Sequence, residues 1–132
     1  MLLGFSFTTA GTVTLNTGTI NDGPATSAFT VSSTGTTRFQ GTTFGAIVNC
    51  SSGRIYLSGS RFNAAATFTK TGAGSDAGTG GNYFAGSTVF NNPSAAYLLT
   101  GNSAADTFIV DLTVNNNGTN HTYLAHNSAN HY

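Results

Sequence analysis

Three histidines near the C-terminal end are the first side chains that could carry out chemistry. His121, His126 and His131 are spaced five residues apart. Imidazole is a common metal ligand, but a metal site needs several ligands that converge on one point. Because an odd spacing along a strand alternates between its faces, we expect solvated turn histidines and no metal or other cofactor.

Carboxylates supply two further candidates. The segment 72–76, Gly-Ala-Gly-Ser-Asp, is similar to calcium-binding Gly/Asp repeats, but it occurs once and lacks the second turn that would complete an oxygen shell. Asp106 and Asp111 could form a glycosidase pair, yet a separation of five residues puts them on opposite faces of one regular strand. We therefore expect both to be solvated rim residues and the protein not to be an enzyme.

Tyrosines are the remaining candidates for a binding surface. Tyr56, Tyr97 and Tyr123 each precede a leucine in a short apolar patch. We expect these tyrosines to form an outward column beside inward leucines. Aromatic rings of this kind bind sugars through their apolar faces and also bind neighbouring molecules. Lateral packing within the protein is the simpler interpretation.

A phenylalanine that recurs with a nearly constant period indicates which element positions these side chains. Phe39, Phe62, Phe84 and Phe108 follow one another at sequence intervals of 23, 22 and 24. Phe7 precedes Phe39 by a longer interval, which fits one further unit with an insertion. A period of this size is typical of one structural unit that is repeated and stacked.

Each unit reads as short strands joined by turns. Six residues after most of these phenylalanines comes another apolar residue, as at Phe68, Phe90 and Val114. An even offset places both residues on one face of a strand. Two or three strands in about 23 residues is the size of one coil of a parallel β-solenoid. The sequence therefore predicts an all-β parallel β-solenoid, or β-helix, of about five coils.

Equivalent side chains of successive coils should lie above one another, about 4.8 Å apart. These stacked side chains would form the core ladder of the solenoid and supply most of its stability. The residues predicted for this ladder are Phe39, Phe62, Phe84, Phe108, Phe68, Phe90, Val114, Leu57, Leu98 and Leu124.

The chain is expected to be a single domain over 1–132. An edge segment is predicted at 1–6, and the coils are predicted at about 7–38, 39–61, 62–83, 84–107 and 108–131. The first coil should contain a turn at 21–24, where Asn-Asp-Gly-Pro occurs. The third should carry a Gly-rich loop in place of its second apolar patch.

Composition excludes several partners. Charged residues make up 6% of the chain, against about 25% in ordinary soluble domains, and the net charge is zero. A basic stripe is missing, so we expect no nucleic acid partner, and no run is apolar and long enough to predict membrane insertion. An uncharged polar surface removes repulsion between copies and favours self-association. The lone Cys50 is expected to pack as a small apolar residue.

Three segments carry a resemblance to a known class of protein. They are 62–72 (FNAAATFTKTG), 81–86 (GNYFAG) and 123–128 (YLAHNS). Over about 39–132 the chain resembles repeats of large secreted bacterial β-helical surface proteins, of the filamentous-haemagglutinin or autotransporter-passenger type. The resemblance implies an extracellular or cell-surface location and a structural or adhesive role. No secretory signal is visible in the chain.

The sequence, together with this resemblance, thus favours a structural subunit or segment of an extracellular bacterial filament or surface adhesin, built by end-to-end stacking of β-solenoid coils. Its partners would be copies of itself, as a head-to-tail homopolymer or neighbouring repeats, together with glycans or other cell-surface material. The main alternative is a carbohydrate-binding or carbohydrate-cleaving β-helix domain. A more distant alternative is ice binding, because Thr12, Thr67 and Thr113 recur at one position of the coil.

Overall fold

The computed structural model describes residues 4–20 and 27–132, which form strands and no helix. Abundant threonine favours this outcome, since β-branched side chains pack well on a pleated surface. Along these described residues the strands are β1 (Gly4–Thr9), β2 (Val13–Ile20), β3 (Ala28–Phe44), β4 (Ile47–Ser58), β5 (Arg61–Phe62), β6 (Ala66–Lys70), β7 (Tyr83–Phe84), β8 (Thr88–Asn91), β9 (Leu98–Leu99), β10 (Thr107–Phe108), β11 (Leu112–Asn115) and β12 (Thr122–Tyr123).

The strands pair in parallel, each with the equivalent strand of the next coil. The offset between paired residues is 24 between β2 and β3, 18 or 19 between β3 and β4, 18 between β4 and β6, 22 between β6 and β8, and 24 between β8 and β11. The chain therefore winds repeatedly around one circuit. The predicted parallel β-solenoid of about five turns is confirmed.

An aromatic column fills one side of the interior. Phe44, Phe62, Phe84 and Phe108 occupy paired positions on successive coils. Their rings stack almost parallel, with centroid separations of 5.1, 5.0 and 4.8 Å and interplanar angles of 2°, 5° and 4°. The prediction is thus confirmed for Phe62, Phe84 and Phe108, and all four rings are buried.

Phe39 is buried in the core as predicted, but its predicted alignment with Phe62, Phe84 and Phe108 is wrong. Phe39 pairs with Leu15 on one side and with Leu57 on the other, so it belongs to a different wall of the coil, while Phe44 takes the place below Phe62. The coil from Phe44 to Phe62 is shorter than the others because β4 follows β3 after a tight corner. The assumption of a constant period therefore selected the wrong phenylalanine, and the boundary predicted at 39 moves to 44.

A second inward column lies six residues along each coil. Phe68 pairs with Cys50 below it and with Phe90 above it, and Phe90 pairs with Val114. The prediction for Phe68 and Phe90 is therefore confirmed, and Val114 has the predicted register but is exposed on the last strand of the column rather than buried in the core. Cys50 lies six residues after Phe44 and is buried, as predicted, and burial raises the pKa of its thiol to about 12.

The leucines do not form one column. Leu57 pairs with Phe39, Leu98 pairs with Thr122, and the carbonyl of Leu124 accepts a hydrogen bond from the Thr100 hydroxyl at 3.2 Å. All three leucines contribute to the core, but the predicted Leu57–Leu98–Leu124 register is wrong. One wall of the solenoid contains the end of β4 and, further along the stack, β9. Residues 71–79 of the coil between them form no strand, so this wall is interrupted there.

Other expected features have mixed outcomes. The predicted Gly-rich loop follows Lys70 and ends at Gly80, whose φ of +81° suits glycine and which forms bridges to Ser58 and Ala104. In the predicted edge segment, residues 4–6 instead begin β1 and pair with β3. The rest of that segment, 1–3, and the turn predicted at 21–24 lie outside the described residues.

Replacing Phe62 with alanine tests the aromatic column. We expect Phe62→Ala to lower the free energy of unfolding by about 3–5 kcal/mol, because it empties a closely packed position between two stacked rings. Phe5→Ala is the matched control, since the Phe5 side chain is 46% exposed, and it should cost less than half as much. Urea denaturation followed by circular dichroism measures both. Equal losses would contradict the stacked column.

Candidate functional site

A column of polar side chains lies two residues before each aromatic position, and we call it the corner ladder. In it the backbone N–H of one residue donates to the side-chain oxygen of the equivalent residue on the next coil. The bonds run from Thr42 to Ser60 Oγ (3.3 Å), from Ser60 to Asn82 Oδ1 (3.0 Å), from Asn82 to Asp106 Oδ1 (2.8 Å) and from Asp106 to Asn130 Oδ1 (3.1 Å). The side chains thereby satisfy backbone donors that would otherwise be orphaned at the bend of each coil.

Asp106 is the ionisable member of the corner ladder. It is fully buried, and its Oδ1 accepts from both the backbone N–H and the Nδ2 of Asn82. Burial raises the pKa of Asp106, while the backbone N–H and the side-chain amide of Asn82 act in the opposite direction. The prediction of a solvated rim residue is therefore wrong for Asp106, although Asp111 is exposed.

A buried ion pair joins the β6 end to the Gly-rich loop. Lys70 Nζ lies 2.8 Å from Asp76 Oδ1, and both side chains are fully buried. The same ammonium donates to the carbonyls of Gly53 and Gly74, and Asp76 Oδ1 also accepts from the Ile55 N–H at 2.9 Å. Lys70 thus neutralises the carboxylate of the segment that the sequence suggested as a calcium loop.

The three tyrosines predicted to form one column lie in two separate places. Tyr56 is 9% exposed and lies under the guanidinium of Arg38, 4.2 Å from the ring centroid. Tyr97 and Tyr123 come together instead, with ring centroids 5.7 Å apart and an interplanar angle of 76°. The interrupted wall at 71–79 separates Tyr56 from these two rings. The prediction is therefore wrong for Tyr56.

Tyr97 and Tyr123 line an open groove of about 390 Å³, which we call the aromatic groove. Tyr123 is held between two histidines, with His121 stacked at 5.6 Å and His126 edge-on at 5.2 Å. Asn102 Oδ1 accepts from Asn127 Nδ2 at 2.9 Å and lies 3.3 Å from His126 Nδ1. The residues lining the groove are Asp76, Ala77, Tyr97, Leu99, Asn102, Tyr123, His126 and Asn127.

The three histidines do not converge. His121 and His126 flank Tyr123, whereas His131 bridges to Thr107 and donates its backbone N–H to the Asp106 carbonyl. Within 4–20 and 27–132, no three His, Cys, Asp or Glu side chains gather where they could hold a metal ion. Over the same residues, no helix is long and apolar enough to cross a membrane.

The two ends of the described solenoid present strand edges and apolar side chains. Among the described strands, β1 and β2 pair only with β3 at one end, and β11 pairs only with β8 at the other. Phe5 and Phe7 are 46% and 38% exposed on β1, and Val114 is 37% exposed on β11. Tyr132 stacks on Phe108 at 5.7 Å and is largely exposed. These edges and side chains are the surfaces that another coil could cover.

Comparison with family models, curated proteins and solved structures found no match to this chain. The resemblance to bacterial β-helical surface proteins therefore stays a prediction.

Sequence reasoning missed the corner ladder although its signal is present. A polar residue precedes each aromatic by two positions, as in Ser60-Arg61-Phe62 and Asp106-Thr107-Phe108. An even offset places the polar residue on the same inward face as the phenylalanine. A charged residue at that position therefore indicated a buried carboxylate rather than a solvated one.

The stability of the protein should depend on pH through Asp106. Because its folded pKa is raised, the folded state binds the proton more tightly than the unfolded state, so this contribution is present at low pH and is lost as pH rises through the folded pKa. Asp106→Asn keeps the Oδ1 acceptor and should flatten this part of the dependence. Urea unfolding across pH 4 to 8 compares the two proteins. An unchanged slope in Asp106→Asn would contradict the assignment.

The Lys70–Asp76 pair should show strong coupling. Asp76→Leu or Lys70→Met alone leaves a buried charge unpaired, and each should cost about 3–5 kcal/mol of unfolding free energy. The double variant removes both charges and should lose less than the sum of the single losses. A double-mutant cycle by chemical denaturation measures this coupling, and additive losses would argue against a buried pair.

Proposed function

We propose that this chain is a structural subunit or segment of an extracellular filament or surface adhesin, built by end-to-end stacking of β-solenoid coils. The observation that carries the proposal is the continuity of the inward columns from one described end to the other. A strand edge is a ready template for another strand, and an apolar column that reaches it adds hydrophobic area to the same surface.

The two ends carry corresponding members of the same columns. Phe5 and Leu112 belong to one column, and Phe7 and Val114 belong to the next. Placing β1 of one copy on β11 of another would set Phe5 against Leu112 and Phe7 against Val114, at the usual strand spacing of about 4.8 Å. Such a contact would continue both the columns and the parallel backbone ladder.

Charge does not oppose this assembly. The chain has four basic and four acidic residues, and two of these eight, Lys70 and Asp76, neutralise each other in the interior. A surface with little net charge provides no long-range repulsion between copies. The extracellular placement is supported by the scarcity of charge and by the resemblance to secreted β-helical surface proteins.

The alternatives have less support. Carbohydrate cleavage through Asp106 and Asp111 would need two carboxylates facing one substrate, whereas Asp106 is buried against Asn82 and Asp111 is exposed. Ice binding would need a regular outward row of threonines. The outward row that contains Thr67 is interrupted by Asn49 on one side and by Val89 on the other.

End-to-end stacking can be tested on the purified chain. We expect sedimentation velocity and negative-stain electron microscopy to show unbranched polymers whose length grows with protein concentration. Phe7→Lys and Val114→Lys should each abolish these polymers, because each puts a charge into an apolar end column.

Thr67→Lys is the matched control, since Thr67 lies on the outward side of β6 and away from both ends. It should leave polymer length unchanged. A wild-type chain that stays monomeric at high concentration contradicts the stacking proposal. Polymers that survive both end substitutions would show lateral association instead.

A further inference from the structure

We propose that the aromatic groove binds a neutral carbohydrate, with Tyr97 and Tyr123 contacting the apolar face of a sugar ring and Asn102 and Asn127 hydrogen bonding its hydroxyl groups. This inference goes beyond the structural role of the solenoid, because the lining of the groove comes from three successive coils, at 76–77, 97–102 and 123–127.

The aromatic side chains form a fixed corner. Tyr97 and Tyr123 meet at an interplanar angle of 76°, and the flanking rings of His121 and His126 restrain Tyr123. Both tyrosines are half-buried, so each keeps part of its surface available to a ligand. Tyrosine supplies a large apolar face at little conformational cost together with a hydroxyl group, which suits a ligand with an apolar face and a polar rim.

Two asparagines provide oriented polar groups beside this corner. The bond from Asn127 Nδ2 to Asn102 Oδ1 sets the direction of both side-chain amides. It uses the oxygen of Asn102 and the nitrogen of Asn127, while Asn102 Nδ2 and Asn127 Oδ1 form no hydrogen bond within residues 4–20 and 27–132. A free amide nitrogen and a free amide oxygen thus remain, which is the combination of donor and acceptor that neighbouring sugar hydroxyls require.

The charge of the groove favours a neutral ligand over an ionic one. Asp76 contributes to its lining, but Lys70 pairs with that carboxylate at 2.8 Å and neutralises it. Among the residues that the structure describes, the lining includes no lysine or arginine that would attract a sulfated or phosphorylated ligand. Its volume of about 390 Å³ lies in the range of roughly 300–1,000 Å³ that is usual for small-molecule sites.

The experiment is an NMR titration of the isotopically labelled full chain with cellohexaose, maltohexaose and the hexamer of N-acetylglucosamine. All proteins in it carry Phe7→Lys, because this end substitution lies away from the groove and is expected to keep the chain monomeric. At least one of these neutral oligosaccharides should shift the side-chain amide signals of Asn102 and Asn127, with a Kd of roughly 0.01–1 mM. Tyr123→Ala should weaken this binding by about tenfold or more, since it removes one wall of the corner. Tyr56→Ala is the matched control and should leave the affinity unchanged.

Asn127→Ala is a second test variant that should stay folded, because Asn127 is exposed and its truncation removes a ligand contact without creating a cavity in the core. It should weaken binding while the rest of the spectrum stays unchanged. The proposal is overturned if none of the three oligosaccharides shifts the groove signals. It is also overturned if Tyr123→Ala binds as well as the wild type, or if only heparin hexasaccharide or a tyrosine-rich peptide binds at the groove.

Discussion

The stacking of each coil on the next, through parallel backbone hydrogen bonds and aligned inward side chains, is the constraint on which the rest of the structure depends. A single coil cannot bury its own apolar face. The Phe62 side chain is buried because Phe44 lies below it and Phe84 lies above it. The same constraint places polar side chains in columns. Where the chain bends before each phenylalanine, the corner ladder supplies oxygens to backbone N–H groups that the strand pairing leaves open.

Variation in coil length is accommodated at the corners and on one wall. The coils with offsets of 18 or 19 run through long strands with short corners, whereas the coil that carries 71–79 gains its extra length as a loop. Lys70 holds this loop against β4, because its ammonium pairs with Asp76, donates to the Gly74 carbonyl in the loop and donates to the Gly53 carbonyl in β4. The interruption that the loop makes in the wall separates Tyr56 from Tyr97 and creates the aromatic groove. A local change in coil length therefore produces the most distinctive surface of the molecule.

The sequence was sufficient to predict the parallel solenoid, because Phe62, Phe84 and Phe108 recur with the correct period and their neighbours six residues later are apolar. It did not predict that Phe44 replaces Phe39, since a shorter coil breaks the period and both phenylalanines fit an inward position. The buried state of Asp106 could have been inferred from its even offset to Phe108. The pairing of Lys70 with Asp76 could not, because it depends on the path of the loop at 71–79. The same loop explains why Tyr97 and Tyr123 lie together as predicted while Tyr56 does not join them.

The central claim is that equivalent aromatic positions lie level over level in a parallel register. Nuclear Overhauser contacts between backbone protons measure this directly. We expect contacts from the Hα of Phe62 to the amide proton of Ala85 and from the Hα of Phe84 to that of Ile109. The Ala85 N–H donates to the Phe62 carbonyl at 2.8 Å, and the Ile109 N–H donates to the Phe84 carbonyl at 3.0 Å, between successive coils. Antiparallel contacts between neighbouring strands, or the absence of these two contacts in a folded sample, would contradict the central claim.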